Sequence, residues 1–302
     1  QRSTNCCPGS NLMNHDSGQA TPQLCSMRNK EFEQFSALIY DEVGIKMPHA
    51  KKTMLEARLQ KRLKALGMHS FQEYSDFIFS PAGREQEIIQ LIDVVTTNKT
   101  DFFREPQHFD FLVREAIPTM RQIRGAGESP LNPFRIWSAG CSTGEEPYTM
   151  AMVLSDYAAA NHGFKFSILA SDICTQVIKK ASSAVYGEDR TDTIPLSMKK
   201  KYLLRSKDRS KGLVRIAPEL RSCVSFKRVN FMEDQFGISE RMDVIFCRNV
   251  VIYFDKQTQA KLMHKFHRQL VTGGYLFIGH SETLNGLEVP FTQVANTVYR
   301  KD

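Results

Sequence analysis

The 302-residue sequence contains no apolar run that approaches the roughly 20 residues of a membrane-spanning helix. Its first residues, QRSTNCCPGSNLMNHDSGQATPQ, also lack the apolar core segment of a secretory signal. We therefore expect a protein that does not insert into a membrane.

Cysteine is sparse and irregularly placed. There are seven cysteines, an odd number, and none of them forms a C-x-x-C pair. Neither a disulfide framework nor a zinc site is indicated, and we expect no metal-ligand cluster. This usage is typical of the reducing cytosol, so the predicted location is cytoplasmic.

The sequence is basic, with 40 Lys and Arg against 33 Asp and Glu and a formal net charge of +7. Such a balance attracts acidic partners at long range. Nucleic acid is one candidate and an acidic protein surface is another, and charge alone does not choose between them.

Composition and periodicity divide the chain into four parts. Residues 1–28 are rich in Ser, Asn, Gln, Gly and Pro and predict a flexible N-terminal arm. Residues 29–100 predict a small all-helical domain, and residues 101–130 a linker helix. Residues 131–302 alternate strands and helices, with an insertion at about 187–223 that predicts a small sheet around LVRI.

The helical domain contains one strongly basic helix. A first helix has Phe32, Phe35, Leu38 and Ile39 at helical spacing and ends at Gly44. The second, KKTMLEARLQKRLKALG, has an apolar stripe of Leu55, Leu59, Leu63 and Leu66. Its other faces have one acid, Glu56, against six cations: Lys51, Lys52, Arg58, Lys61, Arg62 and Lys64. A solvated amphipathic helix is the ordinary interpretation of that pattern, and a docking surface for an acidic partner is the functional one.

The last part predicts an α/β fold, a doubly wound, Rossmann-like parallel sheet. FRIWSAGC, KFSILASDI, VSFKRVNF, MDVIFCRNVV and GYLFIGHSE have the composition of buried strands. The final segment, FTQVANTVYRK, follows without a long helix and predicts an antiparallel hairpin at the sheet edge.

The turn after the first strand of this sheet is the first candidate ligand site. Ligands of such sheets bind at the carboxyl ends of the strands, and Gly140 and Gly144 allow close approach of the backbone there. Neither G-x-G-x-x-G nor Gly-Lys-Ser/Thr is present, which argues against a phosphate loop. Glu145 and Glu146 would repel a pyrophosphate and favour a cationic ligand, although acids at a helix start also complement the helix dipole.

Polar residues at other strand ends extend this candidate site. Asp172 ends the second strand, where an acid accepts the hydroxyls of a ribose, although a solvated Asp is commoner. Arg248 and Asn249 follow a buried strand and need a ligand or a helix cap as partner. Arg104, in TTNKTDFFRE, has the fork geometry that holds a carboxylate, with an interdomain ion pair as the alternative.

Taken together, these stretches resemble the chemotaxis receptor glutamate O-methyltransferases of CheR type. TTNKTDFFRE, RIWSAGCSTGEEPYTMAM, ILASDI, DVIFCRNVVIYFD and GHSE match the family's pattern in order and spacing over about residues 29–302. The resemblance implies a helical domain followed by a methyltransferase domain with a small β insertion. It also implies an enzyme that uses S-adenosylmethionine, releases S-adenosylhomocysteine and forms glutamyl methyl esters on the cytoplasmic methylation region of the receptors.

The resemblance also assigns roles to individual residues. It implies that Arg104 and Tyr253 lie beside the transferred methyl group and place the acceptor glutamate. It implies that Lys51, Arg58 and Arg62 of the basic helix bind the acidic receptor, and that no metal is needed. The implied cofactor-binding set is Asn98, Thr100, Arg104, Glu146, Asp172, Asn230, Phe231, Arg248 and Asn249, with Phe231 standing where the family often has Leu.

Three questions remain open at the level of sequence. Some members of the family bind a peptide tethered at the receptor C-terminus through the β insertion, and SKDRSKG has less Gly than the loops of those members. Methylation of another acceptor, such as RNA, is a second hypothesis, although no RNA-binding module is recognisable and nucleic acid is not expected. A non-catalytic S-adenosylmethionine-binding module in a signalling complex is a third.

Overall fold

The computed structural model describes residues 26–302, and the predicted arm lies outside this range except for its last three residues. Those three belong to the helical domain, contrary to the prediction. Met27 is buried in its core, and Arg28 forms an ion pair with Glu31 at 2.7 Å. The domain therefore begins before residue 29.

The helical domain is formed by four helices whose ends follow ordinary capping rules. Gly44 and Gly67 adopt left-handed φ values of 70° and 69° directly after the first two helices. Ser70 and Ser80 accept backbone N–H groups at the starts of the next two. The helices are α1 (Asn29–Val43), α2 (Lys52–Leu66), α3 (Phe71–Ile78) and α4 (Pro81–Val95).

The predicted apolar stripes form most of the core of this domain. Phe35, Ile39, Leu55, Leu59 and Leu63 have 0% exposure. The prediction was wrong for Leu66, which is 37% exposed at the last turn of α2. The buried stripe therefore ends at Leu63, one turn before the cap residue Gly67.

A long helical segment connects this domain to the sheet. It consists of α5 (Gln107–Phe111), a π-helical turn (Leu112–Ala116) and α6 (Ile117–Arg124). Leu112, Ile117 and Met120 are fully buried in the same apolar cluster as the sheet strands. The segment therefore packs against the sheet as part of the α/β domain.

The predicted doubly wound sheet with an antiparallel edge is confirmed. Its order is β6-β2-β1-β7-β8-β10-β9. The first five strands in this order are parallel, and β10 pairs antiparallel with both β8 and β9. The strands are β1 (Phe134–Ala139), β2 (Phe166–Asp172), β6 (Val224–Arg228), β7 (Met242–Cys247), β8 (Leu270–Ile278), β9 (Thr292–Ala295) and β10 (Val298–Arg300).

Alternate residues of the central strands enter two different apolar clusters. Phe134 and Ile136 face the cluster that contains α7 (Glu145–Ala160), whereas Trp137 faces the one that contains α11 (Lys256–Gln269). Helices cover both faces, so the sheet is buried. Because the chain order reverses beside β1, a crevice forms at the carboxyl ends of β1 and β7.

The predicted β insertion is also present. Its sheet has the order β3-β5-β4, and the LVRI segment is the central strand. The insertion contacts the loop before α5, where Thr193 Oγ1 donates to Phe102 O at 2.7 Å. Its elements, which follow α8 (Thr175–Ser183), are β3 (Val185–Gly187), α9 (Leu196–Tyr202), β4 (Leu203–Arg205), β5 (Leu213–Ile216) and α10 (Pro218–Arg221).

Among residues 26–302, no helix is both long and apolar enough to cross a bilayer.

Candidate active site

A cavity of about 270 Å³ opens at the carboxyl ends of β1, β2 and β7, between the sheet and the helical domain. It contains all nine residues of the implied cofactor-binding set, together with Tyr253 and Lys51. Arg58 and Arg62 do not line it. Among the other lining residues are Val43, Met47, Met54, Thr97, Lys99, Ile173 and Val229.

The turn between β1 and α7 adopts left-handed backbone conformations that shape the cavity floor. Gly140 has φ 90° and Gly144 has φ 97°. A Cβ at Gly140 would lie 2.6 Å from Val250 Cγ2, so a larger residue does not fit there. The glycines predicted to allow close approach are thus required by the backbone itself.

Asp172 is held in the cavity wall by backbone donors. Its two carboxylate oxygens accept the N–H groups of Ser142 at 2.8 Å and Cys174 at 3.0 Å. Burial raises the pKa of this carboxyl, and the N–H groups oppose the shift. Since a carboxylate accepts more than two hydrogen bonds, its remaining lone pairs are available to hydroxyl groups of a ligand.

Arg248 joins two acids beneath the cavity. Its side chain is only 2% exposed, and Nη1 contacts Glu146 Oε2 at 3.2 Å while Nε donates to Glu105 Oε2 at 3.1 Å. Nη2 donates to the backbone O of Arg104, and the rings of Phe109 and Phe246 flank the guanidinium. Burial raises the pKa of Glu146, and the charge of Arg248 opposes that shift.

Three potential metal ligands lie beside Arg248, which the sequence prediction of no ligand cluster missed. Ligand atoms of Glu105, His108 and His280 lie within 4.8 Å of one another. Burial, together with the charge of Arg248, lowers the pKa of His108 to about 3, so its 3.5 Å approach to Glu105 is not an ion pair. Arg248 Nη2 lies 3.0 Å from the same carboxylate oxygen, which opposes a second cation there.

Arg104 and Tyr253 lie on the wall of the cavity. The Arg104 guanidinium donates one long hydrogen bond, from Nη1 to Lys99 O at 3.4 Å, and has no ion pair within residues 26–302. Most of its donors therefore remain available to a carboxylate. The Lys51 Nζ lies 5.7 Å from the centre of the Tyr253 ring, so the cavity wall has a second cation.

Two further predicted residues connect the sheet to the helical domain. Asn230 Nδ2 donates to Glu42 O at 2.7 Å, and its Oδ1 accepts the N–H of Met232 at 3.0 Å. Ser142 Oγ donates to Asn98 O at 2.8 Å. The side chain of Asn230 is thus engaged within the protein, and Asn98 is fixed through its backbone.

Arg58 and Arg62 make internal contacts, which corrects the picture of a freely solvated basic face. Arg62 forms a two-bond pair with Glu87, at 2.6 and 2.8 Å, and the Glu87 side chain is 3% exposed. Arg58 donates to the backbone carbonyls of Val95 and Thr96. Of the three residues implied to bind the receptor, Lys51 alone faces the cavity.

Sequence reasoning missed two acids that support the site. Glu282 accepts the N–H groups of Gly279 at 2.6 Å, Asn249 at 2.9 Å and Ile252 at 3.2 Å, and so holds the loop that leads to Tyr253. Glu105 holds Arg248. Both acids stand inside the quoted motifs, Glu105 after the apolar pair of TTNKTDFFRE and Glu282 after strand β8, and that position was the available signal.

The cavity combines charges of both signs within one partly apolar enclosure. Glu146 and Asp172 provide negative charge, Arg104 and Lys51 provide positive charge, and Ile173, Val229 and Phe231 provide apolar surface. Such a lining suits a ligand with a cationic group, a hydroxylated ring and an apolar ring, together with a carboxylate.

Comparison with known proteins agrees with this geometry. Residues 30–96 match the family model of the CheR methyltransferase all-alpha domain, and residues 98–300 match that of the CheR methyltransferase SAM binding domain. A chemotaxis protein methyltransferase of Borreliella burgdorferi is 42% identical over 85% of this chain and 89% of its own length. Another, of Escherichia coli, is 37% identical over 93% of both chains. The chain therefore belongs to the CheR methyltransferase family and uses S-adenosylmethionine as its cofactor.

Proposed function

We propose that this protein is a cytoplasmic glutamate O-methyltransferase that acts on the methylation region of chemotaxis receptors. The proposal rests on the position of Arg104. Its guanidinium has one long internal hydrogen bond and lies in the same cavity as Glu146 and Asp172. It provides a site for an acceptor carboxylate beside a site for a cationic donor.

The residues of the cavity fit S-adenosylmethionine. Glu146 and Asp172 are the acids that suit its ammonium group and its ribose hydroxyls. Phe231 and Ile173 offer apolar contact to its adenine. The bound cofactor supplies an activated methyl group on a sulfonium.

The acceptor needs orientation rather than activation by a base. A glutamate side chain is already ionised near neutral pH, so its carboxylate oxygen attacks directly. Arg104 holds that carboxylate in line, while Tyr253 narrows the cavity and helps to exclude water. The bound cofactor would supply the methyl group, and Arg104 and Tyr253 would position the carboxylate that receives it.

The receptor partner is inferred from charge and from the family. Lys51 lies at the cavity, and Lys61 and Lys64 are exposed on α2. These cations face solvent and favour an acidic helical surface, as chemotaxis receptors present. Strand β4 is one of the two edge strands of the insertion sheet, and a receptor C-terminal peptide would add there as a fourth strand.

Radiolabelled S-adenosylmethionine and receptor-containing membranes test the proposal. We expect alkali-labile methanol release from receptor, and a strongly reduced but measurable rate in Arg104→Ala. Label on RNA, or cofactor binding without transfer to receptor, would overturn the assignment. Titration of a receptor C-terminal peptide by calorimetry tests the role of β4.

A further inference from the structure

The loop that presents Arg104 has an unusual backbone. Phe103 has φ 52° and Glu105 has φ 54°, so Arg104 lies between two left-handed residues that are not glycine. Such a conformation is unfavourable for a residue with a side chain. Strain of this kind persists where surrounding contacts hold it, and it is concentrated at functional sites.

The contacts that hold this loop are half-buried, except for the exposed one to His280. Phe103 N donates to Thr149 Oγ1 at 3.1 Å on α7. Glu105 Oε1 accepts the N–H of His280 at 3.1 Å, and Glu105 Oε2 lies 3.0 Å from Arg248 Nη2. Arg248 also donates to the backbone carbonyl of Arg104 itself. The loop is therefore fixed on both sides of Arg104.

Both oxygens of Glu105 accept hydrogen bonds, which makes this side chain hard to replace. A glutamine would put an NH₂ group against either the N–H of His280 or the guanidinium of Arg248, and donor would face donor. An aspartate keeps the charge but is one methylene shorter. The neutral His108 offers no alternative positive partner.

We propose that Glu105, through Arg248 and the left-handed turn at residues 103–105, is a positioning residue that holds the Arg104 side chain at the acceptor site. We call Glu105, Arg248 and this turn the Arg104 clamp. The inference rests on the proposed function, because it assigns to Glu105 the geometry of the residue that orients the acceptor carboxylate. Glu105 itself does not line the cavity.

A double-mutant cycle tests the clamp. We expect Glu105→Gln to lower kcat for receptor methylation by about tenfold to a hundredfold, the cost of misplacing an orienting group, with the receptor KM within about twofold of wild type. Glu105→Asp should recover part of kcat. In an Arg104→Ala background, Glu105→Gln should cause almost no further loss, because the two residues act as one unit.

Matched controls separate positioning from a loss of folding. Asp110 is exposed on α5, five positions along the chain, and Asp110→Asn should leave kcat unchanged. Additive losses of kcat in the cycle would overturn the clamp. So would a fall in the melting temperature of Glu105→Gln that is large enough to explain its loss of kcat by unfolding. If Glu105→Gln does not fold, the same cycle is run with Glu105→Asp, and additivity there also overturns it.

The test distinguishes the clamp from the proposed function. If the wild-type protein methylates no receptor, the function fails, and the cycle is then run on affinity for S-adenosylhomocysteine, since Arg104 lines the same cavity. Coupling between Glu105 and Arg104 in that affinity supports the clamp. Independent effects refute it.

Discussion

Charge reversal at Arg62 should lower the stability of the helical domain, apart from any effect on receptor docking. Arg62 and Glu87 form two hydrogen bonds, and Tyr74 donates a third to Glu87 Oε1 at 3.1 Å. The Glu87 side chain is 3% exposed. Arg62→Glu therefore leaves a buried carboxylate without its cation and brings a second carboxylate near it.

The size of this effect follows from the burial of the pair. Removing one partner of a buried ion pair costs about 3–5 kcal/mol. At about 2–4 °C per kcal/mol, the melting temperature should fall by roughly 6–20 °C. The neutral pair Arg62→Met with Glu87→Gln keeps an acceptor for Tyr74 and should recover most of the loss.

Thermal melting and receptor methylation, measured on the same samples, check this prediction. Lys61→Glu and Lys64→Glu are the matched controls, since both lysines are exposed on the same helix, and neither forms an ion pair within the described part of the chain. These two variants should melt as wild type and lower methylation if α2 docks the receptor. Wild-type melting of Arg62→Glu with lost methylation would refute the internal role of Arg62.

Three further predictions concern pH and the cavity floor. The folded pKa of His108, about 3, lies below its unfolded value near 6.5, so the unfolded state binds the proton first. The free energy of unfolding should thus decrease by up to about 1.4 kcal/mol per pH unit on acidification between these values. In urea titrations this decrease should be smaller in His108→Gln and unchanged in His162→Gln, an exposed control; equal slopes in all three proteins would contradict it. Burial raises the pKa of Glu146, so on acidification this carboxyl should gain its proton at a higher pH than an ordinary one. The affinity for S-adenosylmethionine, measured by calorimetry, should therefore begin to weaken at that higher pH. Glu146→Gln should remove this pH dependence. Gly140→Ala should reduce cofactor affinity at least about tenfold, since it adds both strain and a clash. Gly163→Ala has a comparable φ of 89° and nothing within 4 Å, so it should bind cofactor normally, and equal losses would exclude the clash as the cause.

The fold was predictable because its signals are local. Gly44 and Gly67 end helices where the pattern indicates, and the alternation around Trp137 places one buried strand between two covered faces. The edge differs in detail. FTQVANTVYRK folds into two short strands, β9 and β10, with a turn at residues 296–297, and β10 rather than β9 pairs with β8.

From the sequence, one could predict which strand ends meet at the cavity, but not how their side chains are arranged. Parallel strands bring Gly140, Asp172 and Arg248 to one edge of the sheet whatever the side chains do, so their convergence follows from topology. The topology does not show which arginine, Arg104 or Arg248, faces the ligand. Arg248 and Arg104 look alike in sequence, yet the first is buried between two acids and the second has one long hydrogen bond.

The remaining differences have a common physical cause. A helical pattern shows that Arg58 and Arg62 lie off the apolar stripe, but their partners Val95 and Glu87 belong to another helix. The left-handed backbone at Phe103 and Glu105 could not be predicted from the sequence either, because neither residue type favours it. Both features are imposed by tertiary contacts.

The cavity is bounded on one side by the helical domain and on the other by the sheet. Val43, Ile45 and Met47 come from the first, and Gly140 and Val229 from the second. A ligand that touches both bodies joins them, so its binding energy is added to the cohesion between them. Cofactor should accordingly slow proteolytic cleavage in the connection near Thr96.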